Sequence, residues 1–233
     1  MPEKRHVCQF VEGGHYHAVN FVIMTLIDRD LDSIRRSLPN KRFSFATVTR
    51  IGIQCLEALQ DIHQAGFVHR DVKPENVAIG RPPNHRNIYV IDFGLARQYR
   101  LNNQLRNERF PAPFRGTLRY ASLNAHFRRE IGPHDDISSL MFSLKEMLSG
   151  SLPWNHLHRE MQIIAAKKNF TRESNPDEDW QIFRHMYDVA SNKVYRENVD
   201  YGWFYEQFHQ LNELHNIRDD QLYDWEVNNH TEK

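Results

Sequence analysis

The segment FVHRDVKPENVAIG, residues 67–80, constrains this chain more than any other stretch. It places Asp71, Lys73 and Asn76 in one short loop, and Asp92-Phe93-Gly94 follows at the end of the apolar run IYVI. A lone Asp-Phe-Gly is weak, because any strand followed by a turn can spell it. The two motifs in this order and spacing are a strong joint signal. Moving the γ-phosphoryl group of ATP to a hydroxyl needs a carboxylate beside the acceptor, cations on the phosphates and oxygen ligands for Mg2+. Asp71 offers the carboxylate, Asn76 and Asp92 the metal ligands. Lys73 can reach the γ-phosphate and the acceptor oxygen together.

Around that loop the chain reads as α+β and mainly helical, with a little sheet at its N-terminal edge. Residues 5–26 read as a hairpin turning at Gly13-Gly14, rich in β-branched and aromatic residues. DRDLDSIRRSL gives a short amphipathic helix that must stop before Pro39. A long helix follows from about Phe45 to Ala65, with Val48, Ile51, Cys55, Leu59 and Ile62 on one face, Ser44 as cap and Gly66 as terminator. Residues 66–96 are short apolar runs broken by Pro and Gly, and residues 97–133 show no sustained period. Ile137, Leu140, Met141, Leu144 and Leu148 mark another helix, and further helical stretches lie near 156–168, 177–190 and 199–216.

At 233 residues the chain can bury a sizeable core. Lys plus Arg is 30 and Asp plus Glu is 30, so charge argues neither for nucleic acid nor for a membrane surface. Cys8 and Cys55 are too few for a disulfide framework and read as two buried thiols in a reducing compartment. No apolar run approaches the ~18 residues of a membrane span, and MPEKRHVCQF lacks the apolar segment of a signal peptide. A cytoplasmic location is expected, with the nucleus also open.

These motifs identify a resemblance. The chain resembles the large, C-terminal lobe of eukaryotic protein kinases, and within them the casein kinase 1 group. FRGTLRYASLNAH (114–126) is similar to that group's activation segment, with Ser122-Leu123-Asn124 where most kinases carry Ala-Pro-Glu. GPHDDISSLMFSLKEMLSGSLPW (132–154) and YDWE (223–226) fit as well. Ala78, residues 91–99 and the Phe-Arg pair before Gly116 lean toward the tau-tubulin kinase branch. The resemblance spans about residues 6–226.

It implies a serine/threonine protein kinase using ATP and Mg2+. Asp71 would be the catalytic base, Asn76 and Asp92 the Mg2+ ligands, and Lys73 the γ-phosphate contact. Thr117 would brace Asp71 and Lys73. Asp136 would hold the backbone of the catalytic loop, with His69 and Arg70 as structural support. Met24 falls at the gatekeeper position, the backbone of Thr25, Leu26 and Ile27 would face the adenine, and Ala78 is grouped with the nucleotide contacts. Residues 1–27 would then be a remnant of the small lobe plus hinge, 28–228 the large lobe and 229–233 a tail.

The small lobe is where the sequence departs from the pattern. Ahead of the loop the glycines are Gly13, Gly14, Gly52 and Gly66, so no G-x-G-x-x-G covers the phosphates. Lys4 and Lys41, the earlier lysines, sit on no strand of the Val-Ala-Ile-Lys kind. Most of the small lobe is therefore expected to be missing, and the two exposed strands offer an edge to a partner.

Residues 97–119 carry Arg97, Arg100, Arg106, Arg109, Arg115 and Arg119 against the single acid Glu108. A solvated basic loop and an anion site are both open, since arginine forks recognise phosphate. Residues 101–116 contain no Ser, Thr or Tyr, so they cannot supply their own phosphate. The resemblance implies that Arg119 and Lys167 read acidic or already phosphorylated protein substrates. The pairs His15/His17 and His156/His158 lack Cys or acidic partners at zinc-ligand spacing. Two functions remain: a kinase whose chain is weakly active alone, or an inactive kinase-derived module that docks partners.

Overall fold

The computed structural model describes residues 6–170 and 178–227, the side chains of 178 and 179 excepted. Lys4 and the tail 229–233 lie outside the described residues. Strands β1 (Phe10–Tyr16) and β2 (Val19–Met24) form an antiparallel hairpin. Its turn is not at Gly13-Gly14 but at His17-Ala18, with Tyr16 opposite Val19 and His17 in the left-handed region at φ 51°. The glycines lie inside β1 as seats for aromatic rings. A Cβ on Gly14 would sit 2.8 Å from the Phe21 ring across the hairpin, and one on Gly13 would sit 3.1 Å from the Phe10 ring. Both strands are exposed along their whole length.

Strand β3 (Ile27–Asp30) leads into helix α1 (Leu31–Ser37), where the Asp30 carboxylate accepts from the Ser33 amide at 2.8 Å and caps the first turn. Helix α2 (Phe45–Gln64) starts on Ser44, whose hydroxyl accepts from the Thr47 amide, and ends at Gly66 with φ 88°. Any Cβ on Gly66 would meet the Arg100 carbonyl at 2.5 Å, so only glycine closes this helix here. Val48, Ile51, Cys55 and Leu59 are fully buried along one face, as their spacing requires. Burial pushes the Cys55 thiol up to about 12. Cys8, expected to be buried too, is half-buried.

Strand β4 (Phe67–Val68) opens the catalytic loop. A 3-10 turn (Pro74–Asn76) then feeds β5 (Val77–Gly80), which lies between β3 and β6 (Ile88–Val90) in an antiparallel sheet. After a second 3-10 turn (Phe93–Leu95), β7 (Arg97–Gln98) pairs back onto β4, and β8 (Arg100–Leu101) pairs with β9 (Gln104–Leu105). The aperiodic stretch thus contains two-residue pairings too short to leave a sequence period. Helices α3 (Leu123–His126), α4 (Pro133–Ser149), α5 (Glu160–Asn169), α6 (Glu178–Ser191), α7 (Tyr201–Leu214) and α8 (Asp224–Val227) follow among the described residues.

The core lies where α2, α4, α6 and α7 meet. Gly52 lets α7 press onto α2, since a Cβ there would lie 2.4 Å from the Phe208 ring. The C-terminal YDWE segment is tied to the same body. Trp225 Nε1 donates to the His85 carbonyl at 3.1 Å, and the Arg50 guanidinium lies 3.9 Å from the centre of the Tyr223 ring. Among the described residues no helix is long and apolar enough to cross a membrane.

Candidate active site

The catalytic loop is held from below by one carboxylate. Asp136, in the first turn of α4, is buried; its Oδ2 accepts from the His69 amide at 2.7 Å and its Oδ1 from the Arg70 amide at 2.8 Å. The His63 Nε2 lies 2.8 Å from the same carboxylate. Burial works against the Asp136 charge, but the bond and charge of His63, with His69, hold its carboxyl below the ordinary aspartate range. His69 extends the brace, with Nε2 2.9 Å from the Ile91 carbonyl and its ring edge-on to Phe93. The Asp71 amide faces His69 Nδ1 at 3.3 Å, so Nε2 carries the proton and donates to Ile91. Arg70 adopts φ 70° and donates from Nε to the Leu95 carbonyl at 2.6 Å. The loop and the Asp92-Phe93-Gly94 turn are thereby one framed unit.

On this frame the reactive groups converge. Thr117 Oγ1 donates to Asp71 Oδ1 at 2.8 Å, Lys73 Nζ lies 2.8 Å from Asp71 Oδ2, and Lys73 also donates to Thr117 Oγ1 at 3.0 Å. Asn76 Nδ2 donates to the Asp71 carbonyl at 2.9 Å and to Asp71 Oδ2 at 3.1 Å. That orientation leaves Asn76 Oδ1 as the atom for a cation. Asp92, exposed and left-handed at φ 63°, accepts from the Gly94 amide through Oδ1 and keeps its second oxygen open. An amide oxygen and a carboxylate form a hard donor set that suits Mg2+. Gly116 makes the assembly possible. At φ 104° it passes so close to the loop that a Cβ would meet the Arg70 carbonyl at 2.5 Å.

The remaining expected residues divide. Met24 ends β2 half-exposed, and Thr25, Leu26 and Ile27 connect it to β3, with the Thr25 amide donating to the Gln9 carbonyl at 3.0 Å. Ala78 is buried in the middle strand β5, opposite Asp30 and Tyr89, and does not reach an open surface. Lys167 is also placed differently from the expected anion pocket. It is wholly buried, and Nζ donates to the Leu118 carbonyl at 2.8 Å and the Ala121 carbonyl at 2.6 Å, with His126 Nε2 at 3.1 Å. Its cation is spent on the chain's own activation segment, and burial lowers its pKa. Arg119, partly exposed, has Nη1 3.4 Å from Glu146 Oε1.

Two buried acids outside the catalytic motifs organise this region: Glu146, which also takes the Tyr120 hydroxyl, and Glu130, which takes Arg109. A signal for Glu130 existed. It is among the nearest acids to an arginine-rich stretch that holds only Glu108.

Known proteins are similar to this chain in sequence. A family model described as the protein kinase domain matches residues 3–210. A probable serine/threonine-protein kinase of Dictyostelium discoideum is 33% identical over 228 residues, 95% of this chain and 45% of that protein. A putative casein kinase I of Caenorhabditis elegans is 38% identical over 170 residues, 72% of this chain and 50% of its own length. An inactive tau-tubulin kinase of the same organism, ttbk-6, is 33% identical over 220 residues, 89% of this chain and 76% of itself. The chain spans about half the length of the first two relatives. The family match starts at residue 3 and takes in the β1–β2 hairpin, so it gives no support to a small lobe cut away ahead of the hinge. The chain belongs to the protein kinase domain family.

Proposed function

We propose that this chain is a serine/threonine protein kinase of the casein kinase 1 group, close to its tau-tubulin kinase branch, which transfers the γ-phosphoryl of ATP to protein hydroxyls. The observation that carries this reading is the Asp71 carboxylate, gripped by Thr117, Lys73 and Asn76. Asp71 would accept the hydroxyl proton of the substrate while Lys73 meets the γ-phosphate. Asn76 and Asp92 would hold Mg2+, which supplies charge neutralisation on the phosphates when bound. Thr117 fixes the rotamers of both Asp71 and Lys73. Arg119, partly exposed beside the segment, is the residue left to favour acidic or phosphorylated substrates.

Incubation with radiolabelled ATP and acidic protein substrates tests the proposal. Transfer to Ser or Thr that falls about 10²-fold or more in Asp71→Asn, and that needs more Mg2+ in Asp92→Asn, supports it. Full activity in either variant would remove the role assigned to that residue.

A second reading has its own observation. Residues 1–233 contain no G-x-G-x-x-G, and the hairpin preceding the hinge is exposed on both strands. A relative of 33% identity is named an inactive tau-tubulin kinase. On this reading the chain docks partners, with the hairpin edge as the available surface. Calorimetry separates the two: no Mg·ATP binding at millimolar nucleotide, together with no transfer, favours the docking module.

A further inference from the structure

The loop of residues 105–116 is docked without any hydroxyl that could carry a phosphate. What docks it is Glu130, on the segment ahead of α4, with its side chain almost fully buried. Arg109 grips this carboxylate as a fork, with Nε 2.7 Å from Oε2 and Nη2 2.9 Å from Oε1, and the Arg109 amide adds a third bond at 3.1 Å. Arg97, just after the Asp-Phe-Gly turn, brings Nε to 3.2 Å from Oε1 as a charge contact. The Ala112 amide donates to the Arg128 carbonyl at 2.7 Å, a second docking point next to the first. Arg70 of the catalytic loop belongs to the same field. Burial and the charges of Arg109, Arg97 and Arg115 disfavour its cation, and Glu130 offsets them.

Kinase activation loops are commonly ordered by a phosphate that gathers arginines from the catalytic loop and the loop itself. Here Arg109 of the loop and Arg97 just after the Asp-Phe-Gly turn converge on a carboxylate supplied by the chain. We propose that Glu130 is a built-in anion standing where an activating phosphate would act, so that this loop is ordered without phosphorylation. Through the loop it sets Gly116 against the Arg70 carbonyl and Thr117 against Asp71; it is a positioning residue. Its geometry suits the role, because a bidentate arginine–carboxylate pair fixes direction as well as charge. The inference deepens the kinase reading, although loop order can be read without turnover.

The test is hydrogen exchange of residues 105–116 in the full chain, without nucleotide, with and without inorganic phosphate at tens of millimolar. Wild type should be protected and indifferent to phosphate. Glu130→Gln should lose protection at least about tenfold, and phosphate should restore it by filling the vacated arginine site. Protection unchanged in Glu130→Gln, or lost but not regained with phosphate, overturns the proposal. So does a wild-type loop that tightens when phosphate is added. Should Glu130→Gln fail to fold by its melting curve, Arg109→Gln decides: its loop should open with the melting temperature of the rest retained, and an unchanged loop refutes the idea. In the assay with radiolabelled ATP, phosphate-dependent rescue of Glu130→Gln would accompany the exchange result. A wild type without transfer counts against the kinase reading, while the exchange result still decides the role of Glu130.

Discussion

The Asp136 carboxylate lies 2.8 Å from the amide nitrogen of Arg70, fixing the catalytic loop from the helix beneath it. Asn in its place keeps one acceptor oxygen but turns an amide donor toward donors that the second carboxylate oxygen now serves, and it removes the charge paired with His63. Asp136→Asn should therefore destabilise by roughly 3–5 kcal/mol at neutral pH, the range for breaking a buried ionic network. The pH dependence has a definite sign. The folded state holds this carboxyl below its unfolded value, so its stabilisation is complete above about pH 3.9 and fades as pH falls through the folded value. The melting gap between wild type and variant should narrow below about pH 4, in the range where both remain folded. A gap independent of pH would show that charge is not what Asp136 contributes.

Gly116→Ala should harm catalysis more than its size suggests. The new methyl group must clear the Arg70 carbonyl, 2.5 Å from the ideal Cβ, while the backbone stays at a φ of 104°. Such strain costs on the order of 1–3 kcal/mol. The loop would relieve it by moving Thr117 off Asp71. Turnover should drop while melting shifts by only a few degrees; unaltered turnover would mean that the Thr117 contact is dispensable.

Lys167 variants should act on stability rather than on substrate choice. Lys167→Met leaves the Leu118 and Ala121 carbonyls without this donor, and the buried Ala121 carbonyl alone costs about 1–3 kcal/mol. Chemical denaturation should register the loss. The ratio of rates on acidic and neutral peptides should stay as in wild type, and the Arg119→Ala variant should be the one that lowers it. A changed ratio in Lys167→Met with normal stability would return Lys167 to the substrate pocket.

The hairpin should govern self-association. Phe10 and Val22 on the two-stranded hairpin, and Leu26 just after it, expose 69%, 59% and 69% of their surface. An apolar, unpaired sheet of this kind invites association. Replacing Val22 and Leu26 with Thr and Gln should reduce concentration-dependent light scattering and leave the melting temperature within about 1 °C, since surface changes cost little. A marked loss of stability would show that the hairpin packs on the body.

Several parts of this protein were legible in its sequence because the physics behind them is local. The Ser44 cap, the apolar face from Val48 to Ile62 and the Gly66 stop each act over a few neighbouring residues of one helix. The short motifs that carry Asp71, Lys73, Asn76 and Asp92 are local as well, and their spacing announced the chemistry. Tertiary structure decided the rest. Gly13-Gly14 has the composition of a turn, yet packing of the Phe10 and Phe21 rings over it keeps it in a strand. Lys167 reads as a surface cation until α5 folds it under the backbone carbonyls of residues 118 and 121, acceptors that leave no mark in a sequence. Glu130 and Arg109 are 21 positions apart, and neither is informative alone. Only the return of the loop onto the segment ahead of α4 buries that carboxylate among arginines, where the two-point fork of Arg109 makes the pairing strong.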